Sequence, residues 1–156
     1  MGVIDSFEGR YFFLCNFYGA DVEFEGLVYP TIEHAFQAAK THDAVQRERI
    51  RDAVSPAAAK QIGRSVALRP DWEQVKRDIM LALVRAKFAI DPLRSMLLAT
   101  QRAELIEGNH WDDRVWGCTR GPNNRWQGEN ALGKILMRVR EELVREQQEH
   151  AHERAG

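Results

Sequence analysis

The pattern of apolar and polar positions along the chain predicts a small hairpin followed by a series of helices. Residues 22–29 alternate on their first arm and contain Glu25-Gly26, which is typical of a turn between antiparallel strands. Apolar residues at helical spacing, together with cap signals, then predict helices from Thr31, from Ser55-Pro56 to Gly63, from Pro70-Asp71-Trp72 to about residue 90, over 92–101 and from about residue 129. A further, very polar helix is predicted over about 43–54. This pattern predicts an α+β fold that is predominantly α, with a small N-terminal antiparallel β-hairpin or sheet.

The stretches outside these patterns give weaker expectations. The aromatic run over 11–14 predicts a short strand. Residues 109–127 are rich in Gly, Asn, Asp, Trp and Pro, so we expect a long ordered loop with at most a short strand near Val115-Trp116. From Arg145 the chain is charged, and we expect a frayed tail over 145–156. No linker divides residues 1–144, which we therefore predict to be one domain.

The helix predicted over 72–90 is expected to be the longest and to be buried. Its middle, residues 79–84, is apolar on nearly all sides. Lys87 falls on the same face as Met80 and Leu83. Its ammonium group must therefore either snorkel to the surface, which is the more common outcome, or enter a polar cleft.

The helix that follows Thr31 is the main candidate for carrying chemistry. Glu33, Gln37 and Lys40 stand at i, i+4 and i+7, beside an apolar stripe that includes Phe36. Thr31 is a suitable N-cap, and the helix dipole favours the ionised form of a carboxylate in the first turn. Spacing alone favours an ordinary amphipathic helix with a solvated Glu–Lys face. The alternative is a rigidly held carboxylate that stabilises a developing positive charge.

Composition limits the classes of function. The 156 residues carry a formal net charge of -1, which argues against a broad electrostatic surface for nucleic acid but leaves room for a local arginine patch. No apolar run reaches membrane-spanning length and the first residues do not resemble a secretory signal, so we expect a cytoplasmic protein. Cys15 and Cys118 fit a reducing compartment, although a disulfide between them stays open.

A second candidate region is the acidic, tryptophan-containing loop over 107–117. Its carboxylates, including Asp113, lie close in sequence to Trp111 and Trp116, and indole rings stack on bases and sugars. The simpler interpretation is that Asp113 and Arg114 form a surface ion pair and that Trp116 belongs to the core. The histidine spacings predict no metal site, and we expect His34 to be structural or to support the neighbouring Glu33.

A series of motifs runs in order along the chain: Leu14-Cys15-Asn16-Phe17, Tyr29-Pro30-Thr31 with Glu33-His34, Phe36-Gln37-Ala38 and Lys40, Trp72 with Met80, Lys87-Phe88, Leu98 with Thr100, Glu107, Asp113-Arg114-Val115-Trp116-Gly117, and Trp126, Gly128, Asn130 and Leu132-Gly133 with Leu136-Met137 and Arg140. With these motifs the chain resembles the NADAR superfamily, also called the YbiA-like family, from Phe12 to Leu143. The departures are Cys15, where the family usually has serine, Ala35, where an aromatic residue is frequent, and the unusual Trp111.

The resemblance implies an N-glycosidase that hydrolyses the bond between ribose C1′ and a base nitrogen without a metal or cofactor. Glu33 and Asp113 are the expected catalytic carboxylates, one stabilising the oxocarbenium-like centre and the other activating water, in an order that stays open. Lys40 and Lys87 are expected to contact phosphate or ribose. The full set of expected substrate-binding residues is Asn16, His34, Gln37, Lys40, Trp72, Lys87, Trp116 and Asn130.

Two substrate classes follow from the resemblance and rank level. One is ADP-ribosylated guanine in DNA, reached through a local basic patch that would include Arg114, Arg120 and Arg125. The other is an early phosphoribosyl intermediate of riboflavin synthesis. The main alternative is a non-catalytic module that binds ADP-ribose or a nucleotide, and a degenerate member that acts as a partner protein is the least favoured hypothesis. The sequence leaves the oligomeric state open.

Overall fold

The structure is a computed structural model that describes residues 2–156. Backbone contacts divide it into two compact units, unit 1 with Met1–Leu14 and Phe88–Gly156, and unit 2 with Cys15–Lys87. The predicted domain over 1–144 stays a prediction, and its first residue lies outside the described range. The elements are β1 (Val3–Ile4), a 3₁₀ helix (Gly9–Leu14), β2 (Val22–Phe24), β3 (Leu27–Tyr29), α1 (Ile32–Ala39), α2 (Ala44–Arg51), α3 (Pro56–Gly63), α4 (Trp72–Phe88), α5 (Leu93–Leu98), β4 (Glu104–Leu105), β5 (Gly108–Asn109), β6 (Cys118–Arg120), β7 (Trp126–Gln127) and α6 (Ala131–Ala155).

Unit 2 contains the predicted hairpin and the first three predicted helices. β2 and β3 pair antiparallel, and both turn residues between them, Glu25 and Gly26, have positive φ, as a two-residue hairpin turn requires. α1, α2 and α3 each begin after a polar residue whose side chain accepts a backbone N–H of the first turn, namely Thr31, Asp43 and Ser55. The predicted starts of these helices are therefore confirmed.

α1 has no solvated face. All eight of its residues are buried, because the helix packs against β2, β3, α2 and α3 within unit 2. Glu33 is 8% exposed and Gln37 is 4% exposed. The interpretation of α1 as an ordinary amphipathic helix, which spacing alone favoured, is therefore wrong. Burying a carboxylate is costly unless it gains partners, so the surroundings of Glu33 need a specific account.

Unit 1 combines small sheets with α5 and α6. β1 pairs with β4 in parallel, while β6 pairs with β5 in parallel and with β7 antiparallel. α6 packs on β4 and α5. Its buried Arg140 donates hydrogen bonds to Thr100 Oγ1 and to the carbonyl of Ala103, both at 2.8 Å. This cation ties α6 to the turn that follows α5.

The fold class is confirmed as α+β and predominantly helical, but several local predictions are wrong. Residues 11–14 lie in the 3₁₀ helix rather than in a strand. The expected strand near Val115-Trp116 is absent from the described elements, and the loop region instead supplies β5, β6 and β7. The longest described helix is α6, with 25 residues, rather than α4, with 17. α6 also continues beyond residue 144 to Ala155, and whether its exposed last turns fray stays a prediction.

Candidate functional site

The carboxyl group of Glu33 is held within unit 2 by its own helix. Gln37, one turn further along α1, donates a hydrogen bond from Nε2 to Glu33 Oε1 at 2.8 Å. The backbone N–H of Glu33 donates to the carbonyl of Asn16 at 3.1 Å, which fixes the start of the helix. The spacing of four residues that the sequence showed therefore corresponds to a direct contact, and it orients a buried acid.

Burial is the main influence on the acidity of Glu33. It raises the pKa of the carboxyl group, because the charged form loses hydration. The hydrogen bond from Gln37 opposes this rise, as do the nearby charges of Lys60, Lys40 and His34. The expectation that position in the first turn favours the ionised form is thus outweighed by burial. A carboxyl group with a raised pKa is suited to proton transfer near neutral pH.

Lys40 lies at the end of α1 in a strongly basic environment. Burial lowers the pKa of its ammonium group; Glu33 opposes that shift, and the positive charges of Lys60, Arg64 and Lys76 add to it. Lys76 forms an ion pair with Glu73 at 2.7 Å. Lys60 and Arg64 lie at the end of α3, and sequence reasoning missed them. Their spacing of four residues is visible in the chain, but the packing of α3 against α1 is not.

Gly63 makes the close packing of α3 on Gln37 possible. A Cβ atom at position 63 would overlap with Gln37 Oε1 and would lie 2.9 Å from Gln37 Cδ. Gln37 Oε1 is buried and has no hydrogen-bond partner among residues 2–156. The glycine therefore leaves just enough room for the amide that orients Glu33.

His34 is engaged at both ring nitrogens by protein groups. Nδ1 lies 2.7 Å from Thr31 Oγ1, and Nε2 lies 3.1 Å from the carbonyl of Ala53. Nε2 donates to that carbonyl when it carries a proton, and the Thr31 hydroxyl is the partner of Nδ1, so both contacts are satisfied. This arrangement gives His34 the structural task that the sequence suggested, and it leaves substrate contact by this residue an untested prediction.

Lys87 does not snorkel to the surface. Its side chain is buried, and Nζ donates to the carbonyl of Cys15 at 3.0 Å, with the ring of Tyr18 5.4 Å away. Burial lowers the pKa of this ammonium group to about 7. The next residue in that segment, Asn16, contacts Met80 Sδ at 3.7 Å through Nδ2. Asn16 Oδ1 is buried and accepts no hydrogen bond from the described part of the chain.

Trp72 is a core residue of unit 2. Its side chain is buried, and its ring centroid lies 4.9 Å from that of Phe36, with the planes tilted by 52°. The pair joins α1 to the start of α4. Stacking on a substrate base, which was one of the roles expected for Trp72, stays a prediction.

Asp113, in unit 1, holds a turn of the loop between β5 and β6. Its Oδ1 accepts the backbone N–H groups of Val115 and Trp116 at 3.1 and 3.0 Å. The surface ion pair expected between Asp113 and Arg114 is wrong, because Arg114 Nε instead donates to Asp112 at 2.8 Å. Trp116 is half-buried, so it is not a fully buried core residue.

Asn109 organises this loop, and sequence reasoning missed its role. It is buried; its Oδ1 accepts the N–H of Asp113 at 3.0 Å, and its Nδ2 donates to the carbonyl of Asp113 at 2.9 Å and to Glu107 Oε2 at 3.1 Å. The indole of Trp111, two residues on, is 55% exposed. A loop fixed at its base thus presents an aromatic surface to solvent.

Asn130 holds backbone groups of unit 1 with its side chain, and substrate contact by this residue stays a prediction. It adopts a left-handed conformation with φ of 55° just before α6. Its Oδ1 accepts the N–H of Glu107 at 3.0 Å, and its Nδ2 donates to the carbonyl of Leu105 at 2.9 Å. Both ends of the amide are therefore committed to the backbone around β4.

The arginines expected to form a basic patch are partly neutralised. Besides the pairing of Arg114, Arg120 lies 3.5 Å from an Asp5 carboxylate and stacks on Trp126, with 3.9 Å to the ring centroid. Arg125 is exposed. This region of unit 1 offers arginines and aromatic rings, but two of its three expected cations already have a carboxylate neighbour.

The two units divide the predicted site residues between them. Glu33 and Gln37 are in direct contact, Lys40 acts on Glu33 through its charge, and Lys87 reaches the segment next to Asn16. Unit 2 holds Asn16, Glu33, His34, Gln37, Lys40, Trp72 and Lys87, and unit 1 holds Asp113, Trp116 and Asn130.

A cavity of about 400 Å³ in unit 1 contains none of the predicted site residues; Ile4, Tyr11 and Thr100 are among those that line it. Residues 2–156 contain no group of three or more His, Cys, Asp and Glu side chains placed to hold a metal ion. None of the helices in that range has the length and apolar character needed to cross a membrane.

Comparisons with known proteins agree with the resemblance seen in the sequence. The model of the NADAR domain matches residues 5–144. The N-glycosidase YbiA of Escherichia coli is 41% identical over 132 residues, which cover 83% of this chain and 79% of that protein. A riboflavin biosynthesis protein of Vibrio vulnificus is 39% identical over 142 residues, which cover 89% of this chain but only 36% of that longer protein. The NMR structure of Escherichia coli YbiA matches with a TM-score of 0.80 and 39% identity, over 96% of this chain and 90% of that one.

Proposed function

The chain belongs to the NADAR domain family, and from that premise we propose that it is an N-glycosidase that hydrolyses the ribose C1′–N bond of a phosphoribosylated or ADP-ribosylated base. The bond between C1′ and the base nitrogen breaks, and the oxygen of a water molecule bonds to C1′. One proton of that water leaves the new hydroxyl, and the base departs with a proton on its nitrogen. The names of the relatives support the reaction class, and the two substrate classes rank level.

The observation that carries this proposal is the buried, oriented carboxyl group of Glu33. This carboxyl group is 8% exposed and is held by a hydrogen bond from Gln37. Basic residues lie near it, so the acid is shielded from solvent and close to cations. We assign Glu33 the activation of water, because a carboxylate with a raised pKa is a stronger base. We assign Asp113 the stabilisation of the positive charge that develops at C1′.

The remaining predicted residues divide into substrate contacts and supports. Asn16 retains a buried side-chain oxygen without a partner, and Lys40 carries a cation beside Glu33, so we propose both as substrate contacts. His34 and Asn130 have protein partners for their polar atoms, which supports a positioning role. We also propose a cytoplasmic location, because two cysteines far apart in the sequence fit a reducing compartment.

The direct test is turnover of both substrate classes. The protein is incubated with an oligonucleotide that carries ADP-ribosyl-guanine and, separately, with phosphoribosyl intermediates of riboflavin synthesis, and released base and free sugar are separated by chromatography. Glu33→Gln keeps the acceptor for Gln37 but removes the base, and it should lower kcat by about 10²- to 10⁴-fold. Glu48→Gln, on an exposed position of α2, is the matched control and should leave kcat unchanged.

The two carboxylates are separated by a second variant. Asp113→Asn keeps an Oδ1 acceptor for the amides of Val115 and Trp116 but removes the charge, so kcat should fall while the urea midpoint stays close to that of the wild type. Intact binding of ADP-ribose without turnover of either substrate would instead identify a non-catalytic binding module. Unchanged kcat in Glu33→Gln would refute the assignment of the base.

A further inference from the structure

Two cations at the end of α3, Lys60 and Arg64, lie beside α1 and have no carboxylate partner among the described residues. Lys60 lies in the last turn of α3 and Arg64 is the C-cap four residues later, still with helical backbone angles, so the two side chains leave the same side of the helix. In the described part of the chain, no carboxylate lies within ion-pair distance of Lys60, Arg64 or the neighbouring Lys40. Lys76, the fourth cation of the group, is neutralised by Glu73.

Packing brings these cations to the same side of α1 as Glu33. Gly63, between Lys60 and Arg64 in the chain, lies directly against the side chain of Gln37. Gln37 in turn holds Glu33. The charge of Lys60 acts on both Glu33 and Lys40, and that of Arg64 acts on Lys40.

The charges already present do not balance this group. Lys60 and Arg64 contribute two positive charges, Lys40 adds up to one more because burial lowers its pKa, and each of the two helix C-termini beside them supplies roughly half a negative charge. Glu33 adds at most one more negative charge, and its raised pKa reduces that contribution. Whether Lys40 and Glu33 are both charged or both neutral, about one positive charge is left over, in a group that extends from the half-buried Lys40 and Lys60 to the exposed Arg64. Cations held in this way favour an anionic ligand.

We propose that Lys60 and Arg64, together with Lys40, form the subsite that binds the phosphoryl group attached to the substrate's ribose. The inference rests on the proposed function for the identity of the ribose, but the anion site stands on the geometry of unit 2. The shared chemistry is a phosphate ester of ribose, either a monoester as in a phosphoribosyl compound or a diphosphate as in an ADP-ribosyl group. Lys60 and Arg64 would then contribute to substrate binding rather than to bond cleavage.

Binding without turnover is the first test. The full-length protein is titrated calorimetrically with ribose 5-phosphate, ADP-ribose and uncharged ribose. Lys60→Gln and Arg64→Gln should each weaken binding of one or both phosphorylated probes by about tenfold, since one charge-assisted contact is lost. The exposed Lys134 and Arg102 provide matched controls, and Lys134→Gln and Arg102→Gln should leave affinity unchanged. A loss limited to ADP-ribose identifies a diphosphate site, and a loss for both probes identifies a site for one phosphoryl group.

Turnover supplies the second test. Lys60→Gln and Arg64→Gln should raise KM about tenfold with kcat nearly unchanged, because the interaction is present in both the ground and transition states. Urea midpoints equal to the wild-type value show that the variants are folded. Unchanged affinity for both phosphorylated probes in both folded variants would overturn the proposed subsite. If the wild type turns over neither substrate but its ADP-ribose affinity depends on Lys60, the proposed function fails while the subsite stands.

Discussion

Gly63→Ala tests whether the contact between α3 and Gln37 determines the orientation of Glu33. The new Cβ would overlap with Gln37 Oε1, so the amide must rotate away and its bond to Glu33 at 2.8 Å would be lost. Overpacking typically costs about 1–3 kcal/mol, and losing the hydrogen bond about 1 kcal/mol. Replacing a helical glycine by alanine stabilises the folded state by about 0.5–1 kcal/mol, which offsets part of this cost. We therefore expect a net destabilisation of about 1–3 kcal/mol, together with a fall in kcat.

A double-mutant cycle separates these contributions. In a Gln37→Ala background the clashing amide is gone, although Gln37 Cβ, which would lie 3.0 Å from the new Cβ at position 63, remains a close neighbour. Gly63→Ala should then change the free energy of unfolding by close to zero. Urea denaturation of the four proteins measures a coupling energy, which we expect to be at least about 1 kcal/mol. Ala57→Gly, at an exposed position of the same helix, measures the helix-propensity contribution separately.

The cycle can refute the reasoning in a clear way. If Gly63→Ala destabilises the wild type and the Gln37→Ala variant equally, the cost comes from elsewhere and Gly63 does not act through the amide. If Gly63→Ala raises the free energy of unfolding in both backgrounds, the gain in helix propensity exceeds the cost of the contact with Gln37.

Three further predictions concern buried polar groups. Burial raises the pKa of Glu33 in the folded state, so its contribution to stability is present below the unfolded value near 4.5 and is lost as pH rises through the folded pKa. Glu33→Gln should therefore become more stable relative to the wild type as pH rises. Urea midpoints of the two proteins that depend equally on pH would contradict this prediction. The folded-state pKa of Lys87 is lowered to about 7 from 10.5, so wild-type stability should rise between those pH values because the unfolded chain binds the proton more tightly; Lys87→Met should lack that rise in the same measurement. Asn130→Ala should cost about 2–4 kcal/mol, because one buried and one partly buried backbone group lose their partner and φ stays positive. Asn130→Gly should recover about 1 kcal/mol of that cost in urea titrations.

The sequence predicts unit 2 better than unit 1, for a local reason. The hairpin turn at Glu25-Gly26 and the caps Thr31, Asp43 and Ser55 are chosen by neighbouring residues, so their signals lie within a few positions of the feature. The strands β5, β6 and β7 have only two or three residues each. They are too short to show alternation, and they depend on pairing with strands that are distant in the sequence.

The candidate site shows the same division. The bond from Gln37 to Glu33 joins two residues that the sequence places on one face of the helix, four positions apart. Burial of Glu33 and the charges of Lys60 and Arg64 depend on which helices pack against α1, and periodicity within α1 contains no such information. Asn109 was missed because its amide reaches backbone groups four residues away inside a loop, and no repeating pattern marks that kind of contact.

The complete burial of α1 restricts where substrate preference can change. A helix enclosed on every side has no position at which a substitution is silent, so a saturation library over Ile32–Ala39 should return mostly unfolded proteins. The exposed indole of Trp111 belongs to a loop whose base is fixed by Asn109, and that loop can vary without disturbing a core. Selection for a new substrate preference should therefore recover its folded variants around residues 110–112 rather than within α1.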